Sequence, residues 1–233
     1  QFPVSDFTLI AVGGYGRQDL SPKSDVDLLF LYQKSNKNIR DFITLLNNSL
    51  WDLGLEVGIS YLTLIQAIID SKKDIKTVTK FAESRHLIGD EDYYGEFVRS
   101  IKILIRKLNS LKLSEKKLLE LVERHDYYLG IKSNLEPQIK EGIGGLRDIH
   151  TIIWVSIFMF NILKLEDLIQ INIFTSKDIK ELRSAWQFLL TVRAFIHLFN
   201  DSERDSLTIE NPLKISKKLS YRNNQKEKGV ERF

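Results

Sequence analysis

The chain has 233 residues, 43% hydrophobic and 28% charged, with a formal net charge of +3 at pH 7. These are the proportions of a soluble globular protein, with room for one large domain or two small ones. So slight a charge gives no ground for a nucleic-acid partner, and the absence of cysteine excludes disulfides and thiolate metal sites.

The first residues, Gln1-Phe2-Pro3, lack a starting Met and show no signal-peptide pattern, so the stretch reads as a cut-out of a longer chain. No apolar run reaches the roughly 18 residues of a membrane span, which leaves no expected membrane partner and a cytoplasmic location. Phe7 to Val12 reads as a buried strand. A small-residue turn follows, Gly13-Gly14-Tyr15-Gly16-Arg17, and then loop chemistry at Ser21-Pro22-Lys23-Ser24. A second apolar strand, Val26 to Tyr32, opens with Asp25 and Asp27. Strand side chains alternate, so these two carboxylates share a face, where they repel each other. A divalent cation relieves that repulsion, and Mg²⁺ with its hard oxygen ligands suits the pair and bridges to substrate phosphates. The glycines offer backbone N–H groups to a phosphate with no Cβ in the way. Either feature alone more often marks a solvated or tight turn. Their order, strand, glycine turn, Asp pair, strand, points to metal-assisted chemistry on a nucleoside triphosphate.

After a loop at Ser35-Asn36-Lys37-Asn38, the residues Ile39, Phe42, Ile43, Leu46, Leu50 and Leu53 recur at helical spacing, with Gly54 as the cap. This predicts a helix of about fifteen residues over one face of the sheet. Leu55 to Tyr61 reads as a third strand, with Glu56 on its polar side. Glu56 is either plain surface or the third carboxylate of a metal site. From residue 63 the pattern turns helical and no further strand is evident. Thr63 and Asp74 cap helices, the second ending at Gly89 with Leu87 inward. A long helical stretch runs from Glu91 to about Tyr128, with Lys112, Glu115, Lys116 and Lys117 as a solvated face. Ile149 to Ile162 is a strongly apolar helix, and Thr175 or Ser176 caps the last long one. The polar end from Asn223 to Lys228 reads as loose. The expected architecture is α+β, with an α/β core over residues 1–65, a helical domain over 66–233, and an active site in the groove between them.

A second stretch, Leu135 to Asp148, carries Gly142, Gly144 and Gly145 before a helix start, with Lys140 and Arg147 on either side. It reads equally as an anion-binding loop or as an interhelical hinge with Asp148 in a cap or salt bridge. His125-Asp126 makes a metal site only with further histidines and aspartates, and nothing in the sequence brings His86, His150 or His197 to it. Those three histidines are expected at helix surfaces, and Tyr127 and Tyr128 at the edge of the core.

The glycine and Asp-x-Asp motif, Gly13 to Arg17 with Leu20 to Leu31, resembles the nucleotidyltransferase region at the N-terminus of the bacterial bifunctional PII uridylyltransferase/uridylyl-removing enzymes. The likeness continues through Trp51 to Gly58, Leu135-Glu136-Pro137, Lys140 to Asp148 and Val230 to Phe233. It implies a small polymerase-β-like nucleotidyltransferase sheet packed on a larger all-helical body. It implies transfer of UMP from UTP onto a tyrosine hydroxyl of the PII nitrogen-regulatory protein, with Mg²⁺ as cofactor and pyrophosphate released. Asp25 and Asp27 match the metal-binding pair, and Glu56 sits where the third carboxylate belongs. Gly13, Gly14, Arg17 and Ser24 fall on the triphosphate-holding motif, and Lys140 and Arg147 match triphosphate or partner contacts. Two departures stand out: Gln18-Asp19 replaces Gly-Glu, and Ile59-Ser60-Tyr61-Leu62 replaces His-Ser-Val-Arg. The family's uridylyl-removing HD domain and glutamine-sensing ACT domains are expected beyond this stretch. Two other readings stand beside this one. One is a relative transferring AMP or another nucleotide to a different acceptor; the other is a weakly catalytic module that binds PII or nucleotide.

Overall fold

Phe7–Ala11 forms β1, and every one of its residues is buried. A continuous apolar run of this kind suits a central strand covered on both faces. β1 pairs antiparallel with β2, Val26–Tyr32, which in turn pairs parallel with β3, Val57–Leu62. A parallel pair needs a crossover, and the α-helix over Lys37–Asp52 supplies it, with Gly54 in the left-handed region just after. The computed structural model describes residues 6–35, 37–130, 136–224 and 226–233. Gln1-Phe2-Pro3, Asn36, Leu135 and Gln225, which entered the sequence reading, lie outside them.

The sheet has a fourth strand, Arg85–Gly89 (β4), giving the order β3-β2-β1-β4. The sequence reading placed Leu87 and Gly89 at the end of a helix and found no strand beyond residue 63; both are corrected. The short run Arg85-His86-Leu87-Ile88-Gly89 has no strong period of its own, and it becomes a strand by pairing antiparallel with β1 across a bulge at Leu9/Ile10. The fold is therefore α+β, built on a small mixed sheet.

The described residues divide into two compact units. The first draws on Gln1–Leu20, Ser24–Ser114 and Ile157–Leu163. In chain order its helices are α1 (Gly13–Arg17), α2 (Lys37–Asp52), α3 (Leu64–Lys73), α4 (Ile75–Ala82) and α5 (Glu91–Lys107). One face of the sheet is closed by α2: Phe7, Leu9, Leu28, Phe30 and Ile39 form a buried cluster with Phe42, Ile43, Leu46, Val57, Ile59 and Tyr61. The caps are as the sequence indicates. Thr63 closes a reciprocal box with Gln66, and the Asp74 carboxylate accepts from the N–H groups of Lys76 and Thr77. The long stretch predicted from Glu91 is two helices, because Asn109 turns left-handed (φ 64°) between α5 and α6, Ser110–Gly130.

The second unit draws on Ser21–Lys23, Glu115–Ser156 and Lys164–Phe233. It contains most of α6 and of α7 (Leu146–Phe160), with α8 (Ser176–Asn200), α9 (Asn211–Lys218) and α10 (Gly229–Arg232). Thr175 caps α8 in a reciprocal box with Asp178. Ile139, Val192, Ile196 and Ile215 form its buried cluster. Several sequence expectations change here. Lys117 is only 3% exposed; its ammonium sits 4.7 Å from the Trp154 ring centroid and bonds Glu120 at 2.7 Å. His150 and His197 are buried, at 4% and 0% exposed, and His86 lies on β4, so none of the three sits at a helix surface; Tyr127 is 63% exposed, not at the core edge. Among the described residues no helix is long and apolar enough to cross a membrane.

Candidate active site

Parallel pairing of β2 with β3 places the acidic residues. The N–H of Val26 donates to the Glu56 carbonyl at 2.8 Å, which sets Asp25 beside Glu56 just ahead of the two strands. Their carboxylates offer oxygens within 4.8 Å of each other, and both residues are exposed. Asp27 lies in register with Gly58, one step further along. A methyl added at Gly58 would lie 3.3 Å from Asp27 Oδ1, and one added at Gly13 would lie 3.2 Å from Asp27 Oδ2. The Asp27 carboxylate thus rests against both glycines, on the sheet face opposite α2.

This donor set suits a hard cation. Two oxygens ligating one Mg²⁺ from opposite sides stand about 4.2 Å apart at Mg–O distances near 2.1 Å. The Asp25 and Glu56 oxygens meet within 4.8 Å, a bound that includes this span, whereas Asp27 does not join them within it. Asp27 already has a cationic partner: Lys80 Nζ, from α4, donates to its Oδ1 at 2.7 Å. The sequence reading missed Lys80, since it stands 53 residues from Asp27 with no local signal to connect them.

The glycine turn is a short helical segment, α1, not an open turn. Gly13 has φ +57°, a left-handed conformation open to glycine at no steric cost. Gly16 is required for another reason: a methyl there would fall 2.0 Å from the Glu83 carbonyl oxygen. Helix-start N–H groups at Gly13 and Gly14 have no intrahelical acceptor. Arg17 does not extend toward them freely. Its Nε donates to Asp19 Oδ2 at 3.1 Å and its Nη1 to Glu83 Oε2, with the side chain 12% exposed. Arg85 likewise donates to the Tyr15 carbonyl and covers the Tyr15 ring. Ser24, half-buried, immediately precedes Asp25.

The second glycine stretch lies in the other unit and is closed by its own ion pairs. Arg147 grips Glu141, with Nη2 at 2.6 Å and Nε at 3.1 Å from Oε1, and lies over the Trp154 ring. Asp148 accepts from the Gly144 N–H at 2.8 Å and from Arg124 at 2.6 Å, and sits 3.0 Å from His125 Nε2. This is the salt-bridged arrangement that the sequence left open. Burial pushes the Asp148 and Glu141 carboxyls up, but Arg124 and His125 on one and Arg147 on the other outweigh it and hold both below the ordinary range. Lys140 stands 4.0 Å from Asp205, with its ammonium pushed down by burial and by the neighbouring Arg193 charge. Asp205 itself is bonded by Arg193 at 2.6 Å and lies 2.9 Å from His197 Nε2. Among the predicted site residues, then, Gly13, Gly14, Arg17, Ser24, Asp25, Asp27 and Glu56 all belong to the first unit. Lys140 and Arg147 belong to the second, where each faces a carboxylate.

A family model described as GlnD PII-uridylyltransferase matches residues 112–233, more than half of the chain. Among curated relatives, the protein of Rhodospirillum rubrum is 33% identical over 227 residues, covering 97% of this chain and 24% of the relative. That of Haemophilus influenzae (strain PittEE) is 34% identical over 219 residues, covering 92% of this chain and 25% of the relative. That of Hydrogenovibrio crunogenus is 35% identical over 236 residues, covering 97% and 26%. Each is named a bifunctional uridylyltransferase/uridylyl-removing enzyme, and this chain spans about a quarter of their length. With the glycine turn and the acidic residues placed as described, the chain belongs to the GlnD PII-uridylyltransferase family.

Proposed function

We propose that this chain is a cytoplasmic, Mg²⁺-dependent nucleotidyltransferase built on a polymerase-β-like sheet. It moves UMP from UTP onto a tyrosine hydroxyl of the PII protein and releases pyrophosphate. The observation that carries this reading is the meeting of Asp25 and Glu56 oxygens within 4.8 Å, with Asp27 two residues along the same strand and against Gly13. The relatives' name, uridylyltransferase, supports the choice of UMP as the group transferred.

Asp25, Asp27 and Glu56 are the residues that would hold the metal. Bound there, Mg²⁺ supplies charge neutralisation for the α-phosphate and the leaving pyrophosphate. Gly13 and Gly14 present N–H groups to the triphosphate, and Ser24 adds a hydroxyl at the entry to β2. The tyrosine oxygen bonds to the α-phosphorus as the bond to the β-phosphate oxygen breaks. An exposed carboxylate of the trio accepts the phenol proton.

The departure at Ile59 does not strip this face. Ile59 packs in the cluster beneath α2, so its replacement of a histidine falls on the opposite side of the sheet from Asp27. Leu62, which replaces the arginine of that stretch, alternates onto the Asp27 face, so measured transfer decides between an active transferase and a module that only binds. The test is transfer of labelled nucleotide to PII, with UTP, ATP, CTP and GTP compared. UTP is expected to be preferred, and the Asp25→Asn/Asp27→Asn double variant is expected to lose transfer by about 100-fold or more. Unchanged transfer in that variant sinks the site, and a preference for ATP replaces UMP with AMP.

A further inference from the structure

Three cations stand near the glycine turn, and their surroundings differ. Arg17 is held between two carboxylates, Asp19 and Glu83, with its own side chain 12% exposed and that of Glu83 2% exposed. Arg85 donates from Nη2 to the Tyr15 carbonyl and lies over the Tyr15 ring. Lys80 differs: its ion pair with Asp27 is open, at 32% and 36% side-chain exposure. An ion pair this wet contributes little to stability. Its location is more telling. Neighbouring Val78, Thr79 and Phe81 are buried and fix α4 in place, while the Lys80 stem passes 3.9 Å from where a Gly13 Cβ would be. Its ammonium therefore sits on a candidate metal ligand, and its stem runs beside Gly13, the first residue of α1.

Lysine is a compact charge on a flexible stem with three donors, able to change partners without rearranging its helix. Bonded there, it neutralises the Asp27 carboxylate. A divalent cation held by Asp27 competes with Lys80 for that carboxylate, and a nucleotide entering with it would bring non-bridging phosphate oxygens to the Gly13 side. We propose that Lys80 is a phosphate-holding residue that changes partners, bonding Asp27 in the empty protein and the triphosphate tail of the nucleotide in the loaded one. This rests on the nucleotidyltransferase reading above, and it adds a cation from a helix that carries none of the recognisable motif. No carboxylate besides Asp27 shares an ion pair with Lys80 among the described residues, so the exchange leaves none of them without its cation.

The measurement is calorimetric binding to the whole chain, with wild type, Lys80→Met and Lys80→Arg compared. UTP with Mg²⁺ is one probe, uridine another, and Mn²⁺ without nucleotide a third. Lys80→Met is expected to weaken Mg–UTP binding by about 10- to 100-fold, the worth of a hydrogen bond to a charged phosphate. Uridine, which has no phosphate, is expected to bind both proteins alike. Mn²⁺ alone is expected to bind Lys80→Met more tightly, because its competitor for Asp27 is gone; a residue that only braced the fold would weaken it. Lys80→Arg is expected to restore most of the Mg–UTP affinity. Equal Mg–UTP affinity in wild type and Lys80→Met overturns the role of Lys80 and leaves the transferase reading standing. Failure of the wild type to bind Mg–UTP overturns both.

Discussion

Asp205 shows how a single side chain can organise its surroundings. It is 7% exposed, accepts from Arg193, and lies against His197, whose other ring nitrogen accepts the Lys23 N–H at 3.2 Å. That acceptor role at Nδ1 puts the neutral imidazole's proton on Nε2, aimed at Asp205. Its backbone carbonyl also takes the Ile139 N–H at 2.8 Å, tying the second glycine stretch to the same residue. Burial raises the Asp205 carboxyl, but the Arg193 hydrogen bond and charge, with His197 and Lys140, bring it below its ordinary 3.8. A carboxyl lowered on folding stabilises fully above its unfolded value and loses that contribution as pH falls through the folded one. Wild-type stability is therefore expected to drop in acid below pH 3.8, and Asp205→Asn to flatten that limb. The same variant is expected to cost about 3 kcal/mol at neutral pH, because it leaves Arg193 buried without its anion. Urea unfolding at a series of pH values reads both.

At the scale of elements, the fit of α1 against its neighbours is decided by a hydrogen atom. A Gly16 side chain has nowhere to go, since its first carbon would meet the Glu83 carbonyl oxygen at 2.0 Å and that of Ala11 at 3.1 Å. Both are backbone atoms, which cannot rotate away. Gly16→Ala is expected to destabilise by about 3 kcal/mol, visible as a lowered thermal midpoint, with the loss concentrated in the first unit. Gly54→Ala has open space and suffers only the strain of its left-handed φ. The sequence carried much of this level: β1, β2, β3, α2 and the caps at Thr63 and Asp74 follow from spacing and capping chemistry over a few residues, while the α8 cap was narrowed to Thr175 or Ser176 and the structure selects Thr175. It did not carry β4. Arg85 to Gly89 takes its extended form from pairing with β1, some 75 residues earlier, and not from any alternation of its own.

For the whole molecule, the proposed ligand makes a thermodynamic claim. A nucleotide that binds only the folded state raises unfolding free energy by about 2.7 kcal/mol at a concentration 100 times its dissociation constant. Scanning calorimetry with UTP and Mg²⁺ is expected to show that rise in wild type and not in Asp25→Asn/Asp27→Asn. The amino-acid order by itself determined the Asp pair on one strand face, the glycine turn before it and the family, because two-residue alternation and motif spacing are local properties. Only the tertiary structure decided which charges those residues meet. Lys80 reaches Asp27 across 53 residues and Glu83 claims Arg17 across 66. Lys117 leaves a charged helix face to lie over Trp154. Ion pairs and burial are set by distance in space, and folding brings together groups whose separation along the chain gives no sign of it.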